Sequence, residues 1–244
     1  MGHWNPWHGC HRISPGCLNC YVYRIDANYG RDASRFTLTR DYLLPAERYR
    51  AGPKKGRWKL APEDGVVYAC FSSDFFLEEA DPHRGKVWDA IRLRSDVSFF
   101  IPTKRIHRFH RCIPEDWGEG WPHVTIACTM ENQAMANLRL PILARSPIAH
   151  KVIIAEPLLE PIVFGPELPC AELVIAGGES GDRARVCDLE WFRGIHDQCR
   201  QAGVRFSIKQ TGARFRDETG VVVAIPRSRQ HEVAKAYDAW LGQS

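Results

Sequence analysis

The sequence predicts an α/β protein, a partial or closed (β/α) barrel of parallel strands forming a single domain over residues 1–244. Three observations predict it. Six short runs rich in Val, Ile and Phe recur along the chain. They start roughly 20 to 35 residues apart, which leaves room for a crossover helix in most intervals. The runs are also nearly continuous in apolarity, as strands buried on both faces should be. A doubly wound sheet is the alternative arrangement of the same units.

The strand runs are VVYACF (66–71), VSFFIP (97–102), HVTIAC (123–128), KVIIAE (151–156), ELVIAG (172–177) and VRFSIK (204–209), with one more strand expected near HWNPW. Between them lie helical patterns. In ADPHRGKVWDAIRLR, Pro82 suits the first turn, and Val87, Ala90, Ile91 and Arg94 follow at helical spacing. ENQAMANLRLPILARS starts as a helix that Pro141 should break or kink. DLEWFRGIHDQCRQAG has Asp188 as N-cap, Leu189, Phe192, Ile195 and Cys199 on one face, and Gly203 just past the end. Residues 31–64 read as a basic inserted loop with one short helix. FRDETGVVVAIP, inside a C-terminal region of 212–244, reads as a hairpin turning at Thr219-Gly220, followed by a helix.

Composition sets limits. The chain is 44% apolar and 25% charged, with a net charge of +4. No stretch approaches the roughly 20 apolar residues of a membrane span. MGHWNP lacks a basic-then-apolar leader, so a soluble cytoplasmic protein without a membrane partner is expected. Nine cysteines are an odd number. In a reducing compartment a clustered set holds metal more often than it forms bridges. Cys70, Cys128 and Cys199 lie in apolar or amphipathic segments, where a thiol acts as a small buried hydrophobe.

Active-site groups of parallel barrels gather at the C-terminal ends of strands. Here those ends carry Ser72, Ser73 and Asp74; Thr103, Lys104 and Arg105; Thr129, Glu131 and Asn132; Glu156; Gly177, Gly178, Glu179 and Ser180; and Lys209 and Gln210. Lys209, Glu156 and Glu131 are the candidate catalytic contacts. The glycine pair lets backbone approach a ligand, and Glu179 beside it suits a cationic group. Ordinary loop polars, helix caps such as Asn132 and strand-end ion pairs are the competing explanation.

The densest signal is at the start. Cys10, Cys17 and Cys20 follow a C-x6-C-x2-C spacing in a loop rich in Pro and Gly. A structural zinc site wants four closed ligands, and His3, His8, His11 or a distant cysteine would supply the fourth. An iron–sulfur cluster held by three cysteines instead leaves one iron open to a small molecule. Both readings stand on spacing alone.

The string W-N-P-x-x-G-C-x-x-x-S-P-G-C-x-x-C-Y resembles the signature of a phage and bacterial three-Cys-motif family, itself distantly related to radical S-adenosylmethionine (SAM) enzymes. The resemblance continues in order through SSDFF, TKR, MENQ, EPLLEPI, GGESG with Arg185, and FSIKQTG, spanning about positions 4–212. It implies a radical-SAM-like TIM-barrel relative, in which Cys10, Cys17 and Cys20 bind a [4Fe–4S] cluster. SAM would chelate the open iron, and its reductive cleavage would generate a 5′-deoxyadenosyl radical. Gly177, Gly178, Glu179 and Ser180 would serve the SAM amino group, with Asp74 as positional competitor, and Tyr21 would pack on the adenine. Radical SAM enzymes space their cysteines C-x3-C-x2-C and place an aromatic before the last one. Here the first gap is longer and Asn19 occupies that position.

The sequence leaves three functions to weigh. The first is a radical SAM enzyme acting on an unknown substrate. The second is a nucleic-acid-binding or -processing protein, suggested by the basic, aromatic segment 31–59. The third is a phage accessory protein with a structural Fe–S or Zn site, no radical chemistry and a protein partner.

Overall fold

The computed structural model describes residues 2–242. In chain order the strands are β1 (Gly2–Trp4), β2 (Trp7–His8), β3 (Thr37–Leu38), β4 (Val66–Ala69), β5 (Ser98–Thr103), β6 (Val124–Thr129), β7 (His150–Ala155), β8 (Leu173–Gly177), β9 (Cys187–Asp188), β10 (Arg205–Gln210), β11 (Arg214–Arg216) and β12 (Val222–Ala224). The helices are α1 (Tyr21–Asn28), α2 (Asp81–Arg92), α3 (Phe109–Cys112), α4 (Gln133–Arg145), α5 (Leu189–Ala202) and α6 (Gln230–Leu241).

Seven strands form one sheet in the order β1-β4-β5-β6-β7-β8-β10. The pairings β1–β4, β4–β5, β7–β8 and β8–β10 are all parallel. The order follows the chain without reversal. That is the single winding of a (β/α) barrel, because a doubly wound sheet reverses its order at a switch point. β1 and β10 each have one neighbour, so the sheet is open and the barrel partial. All six expected strands occur within two residues of the apolar runs, and the strand near HWNPW is β1.

The chain packs as two compact units. One comprises Met1–His11, Ile25–Ala127 and Ser146–His150; the other comprises Arg12–Arg24, Cys128–Arg145 and Lys151–Ser244.

In the first unit, α2 buries Val87, Trp88, Ala90 and Ile91, together with Arg84. Trp88 sits in an aromatic cluster with Phe75 (ring centres 4.7 Å apart), Trp117 (5.1 Å) and Trp121 (5.6 Å). Arg84 is tolerated inside because its guanidinium donates to the carbonyls of Phe75 and Leu77 and pairs with Asp81. The inserted residues 31–64 contain β3, which pairs antiparallel with β2, a 3-10 turn at Leu44–Ala46, and an Arg48–Trp58 bridge closing a narrow finger.

In the second unit, α5 buries Leu189, Phe192, Ile195 and Cys199, the face read from the sequence. Asp188 caps it by accepting from the Glu190 N–H, and Gly203 ends it in the left-handed region at φ 68°. α4 does not break at Pro141. It runs through Pro141 to Arg145. Leu140 and Leu143, buried on either side of the proline, offset the one lost backbone bond, and only one further turn has to survive it. The expected hairpin is β11–β12, turning with Gly220 at φ 82°. Phe215 from this hairpin stacks on Phe192 of α5 and packs on Tyr237 of α6.

Candidate metal centre

The first unit carries Cys10. Its backbone N–H donates to the Ala33 carbonyl at 2.8 Å. Gly9 before it lies at φ 93°, and a Cβ there would fall 2.2 Å from the Arg35 carbonyl oxygen, so only glycine fits this approach. The Cys10 thiol receives Arg105 Nη1 at 3.6 Å, while Arg105 Nη2 donates to the His11 carbonyl at 3.0 Å. Burial pulls the Arg105 pKa down, but Asp74, Cys10 and Glu78 together hold it above its ordinary value. A permanent cation therefore sits against the Cys10 sulfur.

Asp74 anchors this corner. Its Oδ1 accepts from the Thr103 hydroxyl (2.8 Å) and the Phe76 N–H (3.0 Å), and its Oδ2 accepts from the Lys104 N–H (2.8 Å). It is 4% exposed. The side chain expected at the cofactor thus ties the end of β4 to the end of β5. Ser73 donates to the Gly9 carbonyl, and Ser72 donates its N–H to Asn5. His11 Nε2 bonds Glu79. Burial alone would raise the Glu79 pKa, but His11 outweighs it and the net shift is downward.

The second unit carries Cys17 and Cys20. Cys17 is buried at the end of a 3-10 turn begun by Pro15, and Cys20 is partly exposed just before α1. Two strand-end carboxylates hold this stretch. Glu131, after β6, accepts the Gly16 N–H at 3.0 Å on Oε1 and Arg139 Nη1 at 2.8 Å on Oε2. Glu179, after β8, accepts Asn19 Nδ2 at 2.9 Å and a fork from Arg185 at 2.6 and 3.0 Å. Burial pushes the Glu179 pKa up, but the bonds from Arg185 and Asn19 outweigh it, so the carboxyl stays below its ordinary range. Ser180 contributes its carbonyl, which accepts Arg24 Nη1 at 3.0 Å.

The glycine pair has a structural reason. A Cβ on Gly178 would lie 2.1 Å from the Thr211 carbonyl oxygen, and one on Gly177 would lie 3.1 Å from the Glu156 carboxyl. Glu156 accepts Lys209 Nζ at 2.8 Å and Gln210 Nε2 at 2.6 Å, while Lys209 remains 54% exposed. Tyr21 opens α1 and is 42% exposed.

Asp74, Glu131 and Glu179 thus spend their oxygens inside the protein, and Glu156 and Lys209 keep to a more open rim. Sequence reasoning missed Arg139 and Arg24 as partners. Arg139 carried a signal, being on the buried helical face with Ala136, Leu140 and Leu143. Arg24 carried none.

All nine cysteines are free thiols. Cys70, Cys128 and Cys199 are fully buried, and burial pushes the Cys199 thiol up to about 12. Among the described residues, no three or more His, Cys, Asp or Glu side chains are gathered closely enough to hold a metal ion. Cys10, Cys17 and Cys20 lie within eleven residues of the chain and none is in a disulfide, so the donor set is of the soft thiol type that a thiolate-ligated centre takes.

Fold and site define the class as an α/β protein of barrel-type winding with a cysteine loop bound by strand-end groups. The chain belongs to the family described as a protein of unknown function (DUF5131), whose match covers residues 2–240. No curated protein and no solved structure matches it.

Proposed function

We propose that this is an iron–sulfur protein of radical SAM type, in which Cys10, Cys17 and Cys20 hold a [4Fe–4S] cluster and SAM binds the open iron. The supporting observation is the pair of buried carboxylates at the ends of β6 and β8, Glu131 and Glu179, which fix Gly16 and Asn19 on either side of Cys17. When bound, the cluster supplies one-electron cleavage of SAM to a 5′-deoxyadenosyl radical that takes hydrogen from a substrate. The chain's own groups do the positioning. Glu131 and Glu179 set the loop, Arg105 donates to the Cys10 sulfur, and Glu156 and Lys209 offer charge to a polar substrate.

Anaerobic reconstitution with iron and sulfide tests this. The expected product is brown protein that releases 5′-deoxyadenosine when given SAM and a reductant. Colourless protein retaining one zinc would refute it. That outcome belongs to a second reading, a structural metal site without radical chemistry, as in a phage accessory protein. The His11–Glu79 pair favours it, since zinc-ligating histidines commonly bond a carboxylate through their other nitrogen.

A further inference from the structure

The net charge of this protein is carried by one segment. Residues 31–64 hold nine of its 33 Lys and Arg and five of its 29 Asp and Glu, while the rest of the chain holds 24 of each. The whole net charge of +4 is therefore the charge of this insertion.

Within it, residues 48–59 carry six cations and no acid. They form a structured finger. Tyr49 donates its N–H to Arg57 O at 3.0 Å, Gly56 donates to Tyr49 O at 2.9 Å, and Lys59 donates to Glu47 O at 2.9 Å. The base is clamped by Arg94, 1% exposed, which donates to the Pro45 and Leu60 carbonyls. Arg50, Lys54, Lys55 and Arg57 are exposed, and among the described residues none pairs with a carboxylate.

The two aromatics of the finger already face cations. The Trp58 ring already holds Arg48 at 3.5 Å and Arg94 at 4.8 Å from its centre, and Lys54 lies 5.7 Å from the Tyr49 ring centre. Trp58 holds Arg48 and Arg94 in place. A turn closed by the Arg48–Trp58 bridge thus presents Arg50, Lys54, Lys55 and Arg57 to solvent.

We infer that the 47–59 finger is a binding element for the phosphate backbone of duplex nucleic acid, read without sequence preference. Exposed Lys and Arg supply the sequence-independent contacts to phosphates, and four such cations grouped on one turn with no acid between them match a run of phosphates. With about four phosphates neutralised, log K should fall with log salt at a slope of roughly −3.6, a loss of roughly 150-fold between about 50 and 200 mM salt.

The test is fluorescence anisotropy of the full chain with a labelled DNA or RNA duplex across that range. Binding with this slope is expected. The triple variant R50A/K55A/R57A should flatten the slope to roughly −0.9 while keeping the wild-type circular dichroism and iron content. The inference is overturned if no duplex binds at low salt or if the triple variant binds with an unchanged slope. Binding of vesicles of anionic phospholipid in place of duplex would also overturn it. None of these readouts depends on SAM cleavage.

Discussion

At the scale of single residues, two strand-end carboxylates hold the cysteine loop: Glu131 accepts from the Gly16 N–H and Glu179 from the Asn19 side chain. Glu131 is fully buried, and Arg139, 3% exposed, relies on it. Removing one partner of a buried pair leaves the other charge uncompensated and costs about 3–5 kcal/mol. Glu131→Ala should therefore lower stability by about that much in urea unfolding, and Glu131→Gln should lose less. Glu179 carries a pH signature. Its folded pKa is depressed, so its stabilising contribution is fully present above the ordinary value of 4.5 and is lost as pH falls through the lowered folded value. In Glu179→Gln that part of the acid-side loss should vanish. Unfolding midpoints of both proteins below pH 5 check this, and parallel curves would refute it. These residue types were legible as strand-end polars. Their partners were not, because Gly16 and Asn19 lie 115 and 160 residues away in the chain, and only the strand order brings them together.

At the scale of elements, local rules carried most of the reading. α5 has its capping aspartate, its apolar face and its terminal glycine where spacing places them. Asp188→Ala should cost about 1 kcal/mol, a fall in Tm of about 2–4 °C for a chain of this size, measurable by thermal melting. A fall above about 10 °C would mean that Asp188 does more than cap, and its 2.9 Å pair with Arg216 of β11 is where to look. α4 shows which of two local outcomes the packing selects. The helix continues past Pro141 because packing of Leu140 and Leu143 outweighs one missing hydrogen bond. The 31–64 insertion was legible as basic but not as a finger, since its shape depends on Arg94, which lies in the chain beyond both α2 and the insertion.

At the scale of the whole molecule, the proposal stands on the thiols. Replacing Cys10, Cys17 or Cys20 with alanine should each abolish or sharply reduce bound iron after reconstitution. Cys70→Ala and Cys199→Ala should leave the iron content unchanged, because those thiols are fully buried with pKa values pushed up by burial. Iron and sulfide analysis with visible absorbance reads this directly, and equal loss from all five variants would refute it. Among the described residues, no helix is long and apolar enough to cross a membrane. By itself the sequence determined the strands, the main helices and their faces, the triad of clustered cysteines and the excess positive charge, because periodicity, capping and composition are written residue by residue. Only the tertiary structure decided that the sheet is open and singly wound. It also decided that Asp74, Glu131 and Glu179 grip backbone and arginine, and that Trp58 holds cations. Those outcomes rest on contacts between residues far apart in the chain, where desolvation and partner geometry, which no local pattern encodes, choose the partner.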